Sequence, residues 1–134
     1  MVNVTTVKAA IKDFDEKFKR PKIESLIQCF HATEVTENNW ADLWAEGGLF
    51  RVYADAPCVY FFFDKDEDLR YIGKAEIFGT RMGSHFHGEG SKWRGRAKTI
   101  GILPVPKESW FEILAVEAYL IRALQPPENS SGKK

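Results

Sequence analysis

At 134 residues, with 19 Lys and Arg balanced by 19 Asp and Glu, the chain supports one compact domain with room for a small N-terminal addition. Hydrophobic residues at 44% and charged residues at 28% are ordinary for a soluble globular protein, and no apolar run approaches the roughly 20 residues of a membrane helix. The start, Met1-Val2-Asn3-Val4, lacks a basic stretch followed by an apolar one, so no secretory signal is read there. The two cysteines, Cys29 and Cys58, form no metal-type cluster, and the expected setting is a reducing cytoplasm.

Val4, Val7, Ile11, Phe14 and Phe18 recur at three- and four-residue steps, and the pattern predicts a helix. Pro21 breaks it, and Ile23, Leu26, Ile27 and Phe30 begin a second amphipathic segment, so residues 4–32 read as helical. Asn38-Asn39 offers a cap before Trp40, Leu43 and Trp44, and Gly47-Gly48 ends that helix. Residues 1–50 are thus expected to be an N-terminal helical segment packed on a main domain at 51–129. The texture then changes. Residues 58–63 form an aromatic-rich apolar run, too short for most helices, hence a buried strand. Asp64-Lys65-Asp66-Glu67-Asp68 is a polar turn, and residues 69–73 return as the partner strand of a hairpin. A helix over 75–86 carries a core stripe of Ala75, Phe78, Met82 and Phe86. Residues 88–106, rich in Gly, Pro and basic side chains, read as a long functional loop. A third strand is predicted over 110–114, leading into a helix at about 116–124 that Pro126-Pro127 stops. Residues 130–134 read as a disordered tail, and no internal repeat is visible.

The fold class that follows is α+β, a small three-stranded, mainly antiparallel sheet flanked by helices. Charge is uneven along it: residues 74–107 hold seven Lys or Arg against two Glu, whereas residues 1–57 hold seven bases and nine acids. A polyanion suits the first stretch despite the neutral total.

Cys58-Val59-Tyr60, then Tyr71-Ile72-Gly73, Arg81, Glu117 and Asn129 follow one another in the order of the GIY-YIG nuclease domain, which this chain resembles, including the form at the front of the bacterial excision-repair nuclease. The second motif matches without departure, whereas Cys58 stands where the family has glycine. The likeness spans about residues 57–129 and implies a metal-dependent endonuclease that hydrolyses DNA by water attack, with RNA left open as a substrate.

It further implies a role for each matched residue. Tyr60 would be the general base or orient the attacking water. Since only ~0.1% of a free phenol is ionised at neutral pH, nearby Lys74 and Arg81 are expected to lower its pKa. Tyr71 would bond the scissile phosphate or Tyr60, and Gly73, where strand becomes helix, would permit tight backbone geometry and belong to the nucleic-acid-binding surface. Arg81 would contact the phosphate through a fork that lysine cannot reproduce. His85, with His87 as its competitor, would assist proton transfer. Lys74, Arg81 and His85, at i, i+7 and i+11, are expected along one helix edge. Glu117 would ligate Mg²⁺ or Mn²⁺, and Asn129 would fix the site by hydrogen bonding or touch the phosphate. Outside the matched motifs, Lys92, Trp93, Arg94, Arg96 and Lys98 interleave an aromatic with cations in the 88–106 loop, a pattern that suits contact with the nucleic-acid backbone and stacking on bases.

Taken singly, Tyr60 also reads as a core aromatic, Arg81 and the loop cations as solvated charge, and Glu117 as a helix N-terminal acid. Two other functions stay open: a GIY-YIG-like module that binds nucleic acid or protein without cutting, and a small interaction domain. No membrane partner is expected, and the chain would act as a monomer or homodimer.

Overall fold

The computed structural model describes residues 2–18, 26–87 and 91–130. The predicted break at Pro21, the start of the second amphipathic segment at Ile23, the beginning of the 88–106 loop and most of the predicted tail lie outside them. Helix α1 (Val4–Lys17) starts where Asn3 Oδ1 accepts from the Thr6 backbone N–H at 3.0 Å, and it buries Val7, Ile11 and Phe14. Helix α2 (Leu26–Cys29) is one turn long. Strand β1 (His31–Glu34) follows in place of the predicted helix end. It is a half-exposed edge strand without apolar alternation, so periodicity does not reveal it. Short helices α3 (Trp40–Trp44) and α4 (Leu49–Val52) lead into the main hairpin.

Strands β2 (Cys58–Phe63) and β3 (Leu69–Ala75) pair antiparallel across the predicted turn, where Asp64 Oδ1 accepts from the Asp66 and Asp68 N–H groups at 2.9 and 3.1 Å. Strand β3 runs two residues further than predicted. Helix α5 therefore spans Phe78–Phe86, and Ala75 reaches the core from the strand.

Strand β4 (Thr99–Pro104) lies within the stretch predicted to be a loop. Its glycine and flanking prolines suggest irregular structure. Yet Ile100, Ile102 and Leu103 are fully buried, and a Cβ on Gly101 would come within 2.9 Å of the Phe30 ring. The third strand predicted at 110–114 is absent: a 3₁₀ turn (Lys107–Ser109) leads directly into helix α6 (Glu112–Leu124). Burial of Ile113, Val116, Leu120, Ile121 and Leu124 at helical spacing decides that segment.

The sheet has four antiparallel strands in the order β1-β4-β2-β3, one more than predicted. Strand β2 is buried on both faces. Val59, Phe61 and Phe63 meet α1 and α6 on one side, while Tyr60 and Phe62 meet α3, α4 and α5 on the other. The result is the expected α+β arrangement of a small antiparallel sheet flanked by helices. None of the described helices is long and apolar enough to cross a membrane.

Candidate active site

The hairpin register places Tyr60 opposite Gly73 and Phe62 opposite Tyr71, with these side chains on the α5 face. Gly73 is required by that packing. A Cβ on it would collide with Cζ and Oη of Tyr60, so the phenol ring occupies the space a side chain would need. The position lies inside β3 rather than at a strand-to-helix junction. Helix α5 packs through Phe78, Met82 and Phe86, leaving Arg81 and His85 as neighbours one turn apart on its other edge. Tyr60 Oη lies 2.8 Å from His85 Nε2. The Tyr71 ring lies 6.3 Å from that of Tyr60, 6.1 Å from His85 and 5.6 Å from Trp93. His87, the competing histidine, is exposed just beyond the helix end.

Burial dominates the electrostatics of this pair. It pushes the Tyr60 phenol well above its usual pKa, the Tyr71 phenol adds to the rise, and the Arg81 guanidinium opposes both by hydrogen bond and charge. The net direction is opposite to the one predicted from Lys74 and Arg81. Burial also lowers the His85 pKa, with the Arg81 charge adding to the effect, so the imidazole favours its neutral form. Cys58, which stands at the family's glycine, is a buried thiol with its pKa raised by desolvation.

Lys74 is on β3, not on α5. Strand alternation turns it to the α6 face, where its Nζ pairs with Glu117 Oε1 at 3.0 Å. The predicted residues therefore form two groups. Tyr60, Tyr71, Arg81 and His85 sit on one face of β3, and Lys74 with Glu117 on the other. Strand β3 is the sheet edge, and the groups meet around it: Lys74 and Arg81 line one cavity of about 390 Å³.

The C-terminal segment holds β3 from its open side. Asn129 Oδ1 accepts from the Ile72 N–H at 2.9 Å, and Asn129 Nδ2 donates to the Ile72 carbonyl at 2.8 Å. Its amide thus stands in for a neighbouring strand between Tyr71 and Gly73. Glu128, to which the motif assigns nothing, accepts from Arg70 Nε at 3.0 Å, from Lys92 Nζ at 3.1 Å and from both Arg96 Nη atoms at 3.2 and 2.7 Å. The Arg96 hydrogen bonds, joined by those from Arg70 and Lys92, hold its carboxyl at about 2 against the opposing effect of burial. The sequence signal for this clasp is the lack of acids across residues 91–107, which leaves the loop's charge to be met from elsewhere.

Trp93 differs from expectation. It is only 4% exposed, its ring packed on Phe62 at 5.0 Å, with Arg96 and Lys92 over it at 4.8 and 5.2 Å. It completes the aromatic core and presents no free face to a base. Arg94 and Lys98 are exposed.

Among the described residues no group of three or more His, Cys, Asp or Glu side chains converges as a metal site. Glu117 offers a single, partly buried carboxylate. That donor set suits Mg²⁺ or Mn²⁺, which keep most of their water and take substrate phosphates as ligands, and it does not suit a closed zinc site.

Residues 56–130 match the family described as the GIY-YIG catalytic domain. The chain is 33% identical over 75 residues to the UvrABC system protein C of Thermus thermophilus. The aligned part is 56% of this chain and spans 12% of that relative's length. With more than half of its length matched, the chain belongs to the GIY-YIG family.

Proposed function

We propose that this protein is an endonuclease that hydrolyses DNA phosphodiester bonds at the edge of β3. The observation that carries the reading is the meeting of Tyr60–His85, Arg81 and the Lys74–Glu117 pair around one strand edge. Neutral His85 accepts the Tyr60 proton as Tyr60 takes one from the attacking water, so no resting phenolate is needed. Tyr71, half-buried beside this pair, orients the phosphate. Arg81 and Lys74 offset charge on its equatorial oxygens. Glu117 would hold Mg²⁺ or Mn²⁺, which supplies neutralisation of the leaving oxygen when bound. Asn129 fixes the backbone between Tyr71 and Gly73. Exposed Arg94 and Lys98, with Lys92 and Arg96 of the clasped loop, draw the DNA backbone in.

Membership of the GIY-YIG family supports a role on DNA, and the chain spans only 12% of the length of UvrABC system protein C. A binding module that does not cut is the second reading, and burial of Tyr60 favours it. A panel of supercoiled, linear, single-stranded and branched DNA, incubated with Mg²⁺ or Mn²⁺, separates the two. The nuclease reading expects metal-dependent nicking of at least one form. Binding without cleavage of any form supports the module instead.

A further inference from the structure

The cavity that joins Lys74 to Arg81 is not lined by charge alone. Glu76 also lines it, and its other wall is Ile77, Trp110, Ile113 and Leu114. Three of these are large apolar side chains left open to solvent: Trp110 is 47% exposed, Ile77 51% and Leu114 53%. An indole beside two cations matches the chemistry of a nucleotide, whose phosphate seeks the cations and whose base seeks an aromatic face. The volume of about 390 Å³ lies within the range of about 300–1,000 Å³ for sites that take molecules of that size.

Trp110 is also well placed along the chain. Its N–H bonds the Lys107 carbonyl at 3.3 Å, and its own carbonyl accepts from the Ile113 N–H at 3.2 Å, so it is fixed at the start of α6. Glu117 lies seven residues further, about 10 Å at helical rise. A nucleotide whose base rests on Trp110 therefore keeps its phosphate near Lys74, Arg81 and Glu117. Bases inside a duplex are stacked on their neighbours and offer no free face. To reach Trp110, a base must be unpaired or turned out of the helix.

We infer that this site takes DNA in which a nucleotide beside the scissile phosphate is unstacked, with Trp110 as the platform for its base. The inference rests on the nuclease reading for which phosphate is cut, but the base platform can be observed separately. Lys74 and Arg81 outnumber the single acid of the lining, Glu76, and this favours a nucleotide over a protein partner for the exposed rim.

The test uses two duplexes of identical sequence, one fully paired and one with a single unpaired 2-aminopurine. Cleavage in Mg²⁺ and 2-aminopurine fluorescence in its absence are both measured for the full chain and for Trp110→Ala and Trp110→Phe, each checked for native melting. The wild type is expected to cut beside the unpaired nucleotide about tenfold faster than at the paired position and to quench the fluorophore on binding. Trp110→Ala should bring the ratio to within about twofold and abolish quenching, and Trp110→Phe should retain most of both. Equal cleavage of the two duplexes by the wild type, or a preference unchanged in Trp110→Ala, overturns the inference. Trp110-dependent quenching without cleavage of either duplex supports the platform and removes the nuclease reading. No quenching, together with self-association that Trp110→Ala abolishes, overturns the platform in favour of a contact between copies of the chain.

Discussion

At the scale of single residues the site is organised by one phenol ring that rests where position 73 has no side chain. Gly73→Ala therefore drives a methyl into Tyr60, and overpacking of this kind costs about 1–3 kcal/mol. Urea unfolding should show that loss, and DNA cleavage should fall by more than stability accounts for, because Tyr60 and His85 move apart. Unchanged activity in a stable Gly73→Ala protein would contradict the packing described. A second expectation concerns pH. His85 has its pKa lowered by burial and by Arg81, so in the folded protein it resists protonation. Its contribution to stability is present above the ordinary histidine value of about 6.5 and fades as pH falls below it. If neutral His85 takes the proton, the acid limb of kcat/KM lies below about 6.5, and His85→Ala loses about 10²–10⁴-fold in rate. A limb at or above 6.5 speaks against that role. The residue types of the site are legible in the sequence because motif spacing survives without coordinates. Which face Lys74 takes, and whether Trp93 is free, are not legible. The first depends on where β3 ends, and the second on aromatic packing between distant segments.

At the scale of elements, the C-terminal segment acts as a short splint for the edge strand. Asn129→Ala leaves the buried N–H and carbonyl of Ile72 without the partners seen here, at about 1–3 kcal/mol for each orphaned group. Chemical denaturation should register that loss, and hydrogen exchange at Ile72 should accelerate. Slow exchange at Ile72 in the variant would mean that β3 does not depend on this splint. Helix α1 and much of α6 could be read from periodicity, since each buries a regular stripe, and the hairpin from a continuous apolar run followed by a polar turn. Strands β1 and β4 could not. Strand β1 has no apolar alternation, and β4 carries a glycine inside and prolines at its end, features that mark loops unless neighbouring chain covers them. Trp110-Phe111 suggested a strand by composition, but both side chains are exposed and belong to the entry of α6.

At the scale of the whole molecule, a chain with no net charge places Lys74 and Arg81 at one strand edge and leaves residues 74–107 with seven Lys or Arg against two Glu. Its N-terminal part also contributes to the sheet: β1 pairs with β4, and α1 packs against α6 through Phe14 and Tyr119, whose rings lie 5.2 Å apart. The fold thus places the tyrosine pair, Arg81 and His85 on one face of β3 and the α6 carboxylate with Lys74 on the other, and the central claim is that together they hydrolyse DNA. Single-turnover cleavage of end-labelled DNA in Mg²⁺, for the wild type beside Arg81→Ala and Glu117→Gln with matched melting temperatures, tests this most directly. The account predicts cleavage by the wild type and losses of about 10²–10³-fold or more in each variant, with DNA binding largely kept by Glu117→Gln. Equal cleavage by wild type and variants, or binding without any metal-dependent cleavage by the wild type, would contradict it.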